Sequence, residues 1–192
     1  LDQKVSDPKL LFQFGSQAQN LFQAFCGIPT RFARSRQPKT ANPVSQNSTY
    51  RPVFSVLPLT SVSLITGRTE DEFKARYVVR FGDYGFNFEK ETNKLIYFSN
   101  SSVSRLDGKL TPRQNVVPDL DSANHISLLY LNAAGYDLKE FYHAQTEMIS
   151  AGAGARPIEK YWHITYQRFY KDLPYSYHAI SLDINPVSGG PI

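Results

Sequence analysis

A single cysteine, Cys26, stands among 192 residues, so an internal disulfide framework is excluded. That suits the cytoplasm, and equally a periplasmic protein that needs no bridge. No apolar run approaches the roughly 20 residues that cross a bilayer as a helix, so no membrane-spanning helix is expected. Acid is missing from Pro8 to Thr69. Over that stretch Lys9, Arg31, Arg34, Arg36, Lys39, Arg51 and Arg68 stand unopposed. They form a cationic block on a near-neutral remainder, within a chain of net charge +4. Catalytic signatures are absent as well. There is no G-x-S-x-G elbow, and GDYGF at 82–86 is not a phosphate loop, because no Lys-Ser/Thr follows it and no helix opens after it. The first residue is Leu1 and the one methionine is Met148, as when a start has been removed, but no leader is visible in the residues themselves.

What is present is an ordinary globular balance, 41% hydrophobic and 20% charged, with twelve Tyr and thirteen Phe to fill an interior. The length suits one larger domain or two small ones. Asp7 and Pro8 open a helix as N-cap and first residue. Leu10, Leu11, Phe14, Ala18, Leu21, Phe22 and Phe25 then recur at helical spacing, and Gly27 with Pro29 is expected to end it. The polar, basic stretch from Arg31 to Pro52 has no period and is expected to be a long surface loop. VFSVLPLTSVSLITG is β-rich but interrupted by Pro58, which suggests an edge strand or two short strands. Strands are expected at 77–81, 84–89 and 95–99, with Tyr84, Phe86 and Phe88 on one face. The stretch 101–120 loses periodicity and carries Gly108, Pro112 and Pro118, so it is the best domain boundary.

Beyond it, Asp121 or Ser122 is expected to cap a second helix with Ile126, Leu129, Tyr130 and Ala133 on its buried stripe, and Gly135 to end it. Strands are expected at 139–150, 161–168 and 175–184. The last should turn Ile180, Leu182 and Ile184 toward the helix that carries Ile126 and Leu129. Residues 161–192 and 75–98 share a layout of strand, reversal, strand, acidic residue and turn, and a helix precedes each. The economical reading is α+β: two units, 1–110 with a basic loop and 116–192, each a helix on a curled antiparallel sheet, as in a tandem repeat.

In the second unit Trp162, Ile164 and Tyr166 form an aromatic strand W-x-I-x-Y. After the reversal, Asp183, Ser188, Gly189 and Ile192 approximate an ending D-x-x-T/S-G plus an apolar residue, with Pro186 inside the turn. Over residues 121–192 this resembles the PepSY and thermolysin-propeptide-like domains, small cystatin-like modules. The resemblance implies a non-catalytic, secreted or envelope-associated module, sometimes inhibitory toward peptidases. No cofactor is expected.

Histidines are the first candidates for a site. His143, His163 and His178 fall on successive strands, but strand parity sets His163 opposite Trp162 and Ile164 while His178 shares the face of Ile180. With no H-x-x-x-H or Cys/His spacing, no metal site is expected. Cys26 continues an apolar helix stripe beside Phe22 and Phe25 and reads as a small buried hydrophobe. Asp119 with Asp121, and Glu89 with Glu91, flank turns and are expected to face solvent, so no catalytic residue is assigned. Arg31, Arg34 and Arg36, interleaved with Phe32, are the residues that would meet an anionic partner. That partner would be an acidic cell-envelope polymer or the acidic face of a peptidase, since the total charge is modest for a nucleic-acid binder. The function expected is an exported binding or peptidase-inhibitory module. The alternative is an NTF2-like pocket protein that binds or transforms a small molecule, marked by a deep closed cone with converging polar groups.

Overall fold

The Asp7 carboxylate accepts from the Lys9 backbone at 2.8 Å and opens α1, residues Pro8–Ser35, in a computed structural model of the protein. The structure describes residues 2–35, 59, 61–65, 75–100, 116–117, 119–151, 159–171 and 173–192. Helix α1 does not stop at Gly27 and Pro29, where the sequence predicts its end. An interior proline removes a helix hydrogen bond and costs about 3 kcal/mol. Ile28 and Phe32, both 2% exposed, extend the buried stripe of Phe14, Ala18, Phe22 and Phe25 by two further positions. Burying a large apolar side chain contributes about 1.5–3 kcal/mol, so the two together offset the proline. The basic loop expected from Arg31 is therefore helical through Ser35, and 36–58 lie outside the described residues.

Two antiparallel sheets complete the α+β architecture. The first holds β1 (Asp2–Lys4), β2 (Ser61–Ile65), β3 (Arg76–Phe81), β4 (Tyr84–Glu89) and β5 (Leu95–Asn100) in that spatial order. The N-terminal strand β1 is not foreshadowed by any local pattern, and it makes β2 an interior strand, which overturns the edge strand, one of the two expectations for this stretch. Helix α2 (Leu120–Ala133) leads through a 3-10 turn (Leu138–Glu140) into the second sheet. That sheet orders β6 (Phe141–Ala151), β7 (Glu159–Tyr170) and β8 (Leu173–Ile184) side by side. The cap of α2 is Asp119, not Asp121 or Ser122. Its carboxylate accepts from the Ser122 backbone at 2.8 Å, the N-cap-to-N3 bond that closes the first turn. Gly135, at φ 80°, follows the last turn as expected.

The described core is continuous across both helices and both sheets. Phe14 stacks on Tyr77 with ring centroids 4.2 Å apart, seating α1 on the first sheet. Phe25 meets Tyr130 edge-on at 5.3 Å and joins the two helices. Trp162 is buried, and its indole N–H donates to the Val117 carbonyl at 2.9 Å. Ile184 is fully buried, and Ile180 and Leu182 pack against the same core, as expected of β8.

The C-terminal turn is built around Asn185. Its buried side-chain oxygen accepts from the Val187 and Ser188 backbones at 2.9 and 3.0 Å. Gly189 then takes φ 70°, and a Cβ there would stand 3.0 Å from Val116 and 3.2 Å from Ile126. Only glycine combines that dihedral with that closeness.

Candidate functional site

Strand β5 ends the first sheet and β8 ends the second, and a cleft of about 370 Å³ opens between these two edges. Its floor comes from Phe25 of α1 and from Tyr130, Leu131 and Ala134 at the end of α2. One wall is Leu95 to Phe98, and the other is Ile180 to Asp183 with Pro191 and Ile192. Tyr136 closes one end, its hydroxyl donating to the Leu95 carbonyl at 2.6 Å.

The first wall is shaped by an irregularity. Asn87 pairs with Tyr97 but Phe88 pairs with Leu95, so Ile96 is an extra, unpaired residue. Such a bulge turns consecutive side chains out of strict alternation. Leu95 is buried beneath, while Ile96 and Tyr97 are 45% and 57% exposed on the lip of the cleft. Four consecutive apolar residues, Leu95-Ile96-Tyr97-Phe98, are the sequence signal for this break in period.

The second wall carries a partly occupied edge. Ile192 donates its backbone N–H to the Asp183 carbonyl at 2.9 Å, Asn185 donates to Gly190 at 2.9 Å, and Ile184 pairs with Pro191 in antiparallel sense. The Asp183 carbonyl therefore points away from β7. Backbone polar groups alternate sides along an antiparallel strand, so those of Ser181 and Ala179 point the same way. Among the described residues no strand lies beside them on that side.

Burial sets the ionisation of the surrounding hydroxyls. It pushes the Tyr130 phenol well above its ordinary value, with Cys26 adding in the same direction. Tyr136 is raised by burial and further by the negative charge of Glu89. Burial likewise pushes up the Cys26 thiol and disfavours the thiolate, although the side chain is only partly buried against the core rather than buried as the sequence suggested. Glu89 is not solvent-facing as expected: it is buried, and its carboxylate accepts from the Thr92 hydroxyl at 2.5 Å.

A second polar assembly lies on the face of the second sheet opposite Trp162 and Ile164. Glu147, His163 and Asp183 stand directly across from one another on β6, β7 and β8. His163 Nδ1 meets the Asp183 carboxylate at 2.6 Å, and its Nε2 lies 3.2 Å from the Thr165 hydroxyl. His143 lies on the other side of the bulged register in β6, with its ring 5.7 Å from Tyr166 and Nε2 2.6 Å from the Thr146 hydroxyl. The His178 side chain is outside the described residues. Among the described residues no group of three metal-ligating side chains converges.

The arginines fall at the end of α1. Arg31 is exposed, and its guanidinium folds back so that Nε donates to the Gly27 carbonyl at 3.4 Å. Arg34 is on the same last turns, its side chain outside the described residues, as is the whole of Arg36. Phe32 between them is buried edge-on against His125 at 5.4 Å. Asp119, Asp121, Ser122 and His125 share a shallow recess of about 210 Å³ with that ring, so carboxylates of α2 stand near the basic end of α1. Comparison with protein-family models, with curated proteins and with solved structures returns no match for this chain.

Proposed function

We propose that the protein is a non-catalytic, extracytoplasmic binding or peptidase-inhibitory module, built of two cystatin-like units of the PepSY and thermolysin-propeptide-like kind. The observation that carries this reading is the position of the cleft. The face of each sheet that meets a helix is covered by buried aromatic and aliphatic side chains, Phe14, Phe86 and Phe88 at one and Ile126 and Ile164 at the other. The cleft lies instead between the two sheet edges, lined mostly by apolar groups. Among the described lining residues the one that carries a charged side chain, Asp183, is engaged by His163. An NTF2-like pocket would need a closed cone with converging polar groups. An apolar slot between strand edges suits the backbone of another polypeptide better than a reacting small molecule.

The test is a titration of a thermolysin-type metallopeptidase with the purified protein, following hydrolysis of a peptide substrate. A saturable, stoichiometric loss of peptidase activity with the protein left intact is the expected result. Undiminished peptidase activity, with the protein degraded, would overturn the inhibitory reading.

A further inference from the structure

The geometry points to the β8 edge as a strand-addition site for an extended, uncharged peptide with apolar residues at alternate positions. This rests on the reading of the cleft as a binding site and specifies what it binds. The edge already takes a strand: Pro191 and Ile192 pair with it through the Asp183 carbonyl and the Asn185 amide. The same outward ladder continues at Ser181 and Ala179, both exposed. Two outward residues offer two N–H donors and two carbonyl acceptors, the fixed pattern that an antiparallel strand satisfies and a compact ligand does not.

The side chains around the edge set the occupant's chemistry. A strand beside β8 alternates its side chains between the two faces of the sheet. Its residues opposite Leu182 and Ile180 would fall on the face of the helices, toward Tyr130, Leu131 and Ala134. Ile96 and Tyr97, thrust out by the bulge in β5, wait across the cleft as apolar cover. Because Asp183 is the only charged side chain in the described lining and is held by His163, a charge at the positions that face the helices would lose water and gain no partner. A second copy of this chain could reach the same edge only through a strand of its own, which would show as self-association.

The experiment uses the full chain and the peptide acetyl-Val-Thr-Val-Thr-Val-amide. Binding is followed by Trp162 fluorescence and by amide hydrogen exchange. The expected result is saturable binding that slows exchange of the Ser181 and Ala179 amides at least tenfold. Ser181→Pro removes one outward N–H while leaving the β7 ladder intact and should weaken binding at least tenfold, whereas Ser181→Ala keeps that N–H and should bind like the parent. Should the proline variant fail to fold, exchange in the parent decides. Binding without protection of these amides overturns strand addition and leaves the cleft a binding site. No binding at all also overturns it, and the peptidase titration then stands or falls separately. Concentration-dependent dimerisation by sedimentation that protects the same amides without peptide would make the occupant a second copy, overturning the proposal.

Discussion

The hydroxyl of Tyr130 donates to the carbonyl of Gly189 at 2.7 Å, in the buried interior. One bond thus ties the last turns of α2 to the C-terminal turn that ends β8, and so holds the Pro191–Ile192 tail against the cleft. Tyr130→Phe keeps the ring and its contact with Phe25 but strands a buried carbonyl. Leaving such a group unsatisfied costs about 1–3 kcal/mol. Thermal unfolding should shift down accordingly, and exchange of the Ile192 amide should speed up more than that of Ile164. Parent-like behaviour in both would show that the bond carries no net stability.

Alkaline pH should destabilise the protein more steeply than its composition alone requires. Tyr130, Tyr136 and Tyr166 are all raised above the ordinary tyrosine value, first by burial. A raised folded-state value means the folded state holds its protons where the unfolded chain releases them. The corresponding stability is complete below about pH 10, the unfolded tyrosine value, and is lost as pH rises beyond it. Denaturant melts at pH 8, 10 and 11 should therefore show falling midpoints, with the decline shallower in Tyr130→Phe. A flat profile to pH 11 would contradict the burial of these hydroxyls.

Two glycines at positive φ separate backbone strain from crowding. At Gly82, φ 55°, nothing lies within 4 Å of where a Cβ would stand, whereas at Gly189, φ 70°, a Cβ would meet Val116 at 3.0 Å. Alanine at either site carries a left-handed penalty of about 1–2 kcal/mol. Gly189→Ala should cost more than Gly82→Ala, because Val116, Ile126 and Pro29 must also give way. Equilibrium unfolding of the two variants makes the comparison, and equal losses would mean the turn relaxes freely.

The anionic partner expected of Arg31, Arg34 and Arg36 is open to a salt test. Binding of the parent to cell-envelope fractions should fall as salt rises, because screening shortens to about 8 Å at physiological ionic strength. An Arg31/Arg34/Arg36→Ser variant should lose most of the low-salt binding. Equal retention of parent and variant would overturn the anionic partner and leave Arg31 with its local bond to the Gly27 carbonyl, near the negative end of the helix dipole.

The repeating elements are legible because each has a local cause. Period-two aromatics write β3, β4 and β7 to within a few residues, and Asp7-Pro8 writes the start of α1. Sequence and structure part where distant packing outweighs a local signal. Gly27 and Pro29 read as a stop, yet Ile28 between them and Phe32 beyond them find burial, Phe32 against His125 on α2. The three residues of β1 carry no strand signature of their own and become a strand because β2 offers Asp2–Lys4 a partner. Asp119 lies in a stretch without period, so local pattern points to a cap two or three residues too late.

The sequence by itself determined the α+β class, the helix-then-strand order repeated along the chain, the faces of β4 and β8, and the concentration of cationic charge before residue 70. Each follows from side-chain periodicity, turn residues or plain composition, and those are properties of neighbours in the chain. Only the tertiary structure decided that the two sheets present their last strands to a common cleft, that Ile96 is extruded by a bulge, and that His163 meets Asp183. These depend on residues tens of positions apart being brought together by one continuous core, and no local pattern encodes which edge will face which.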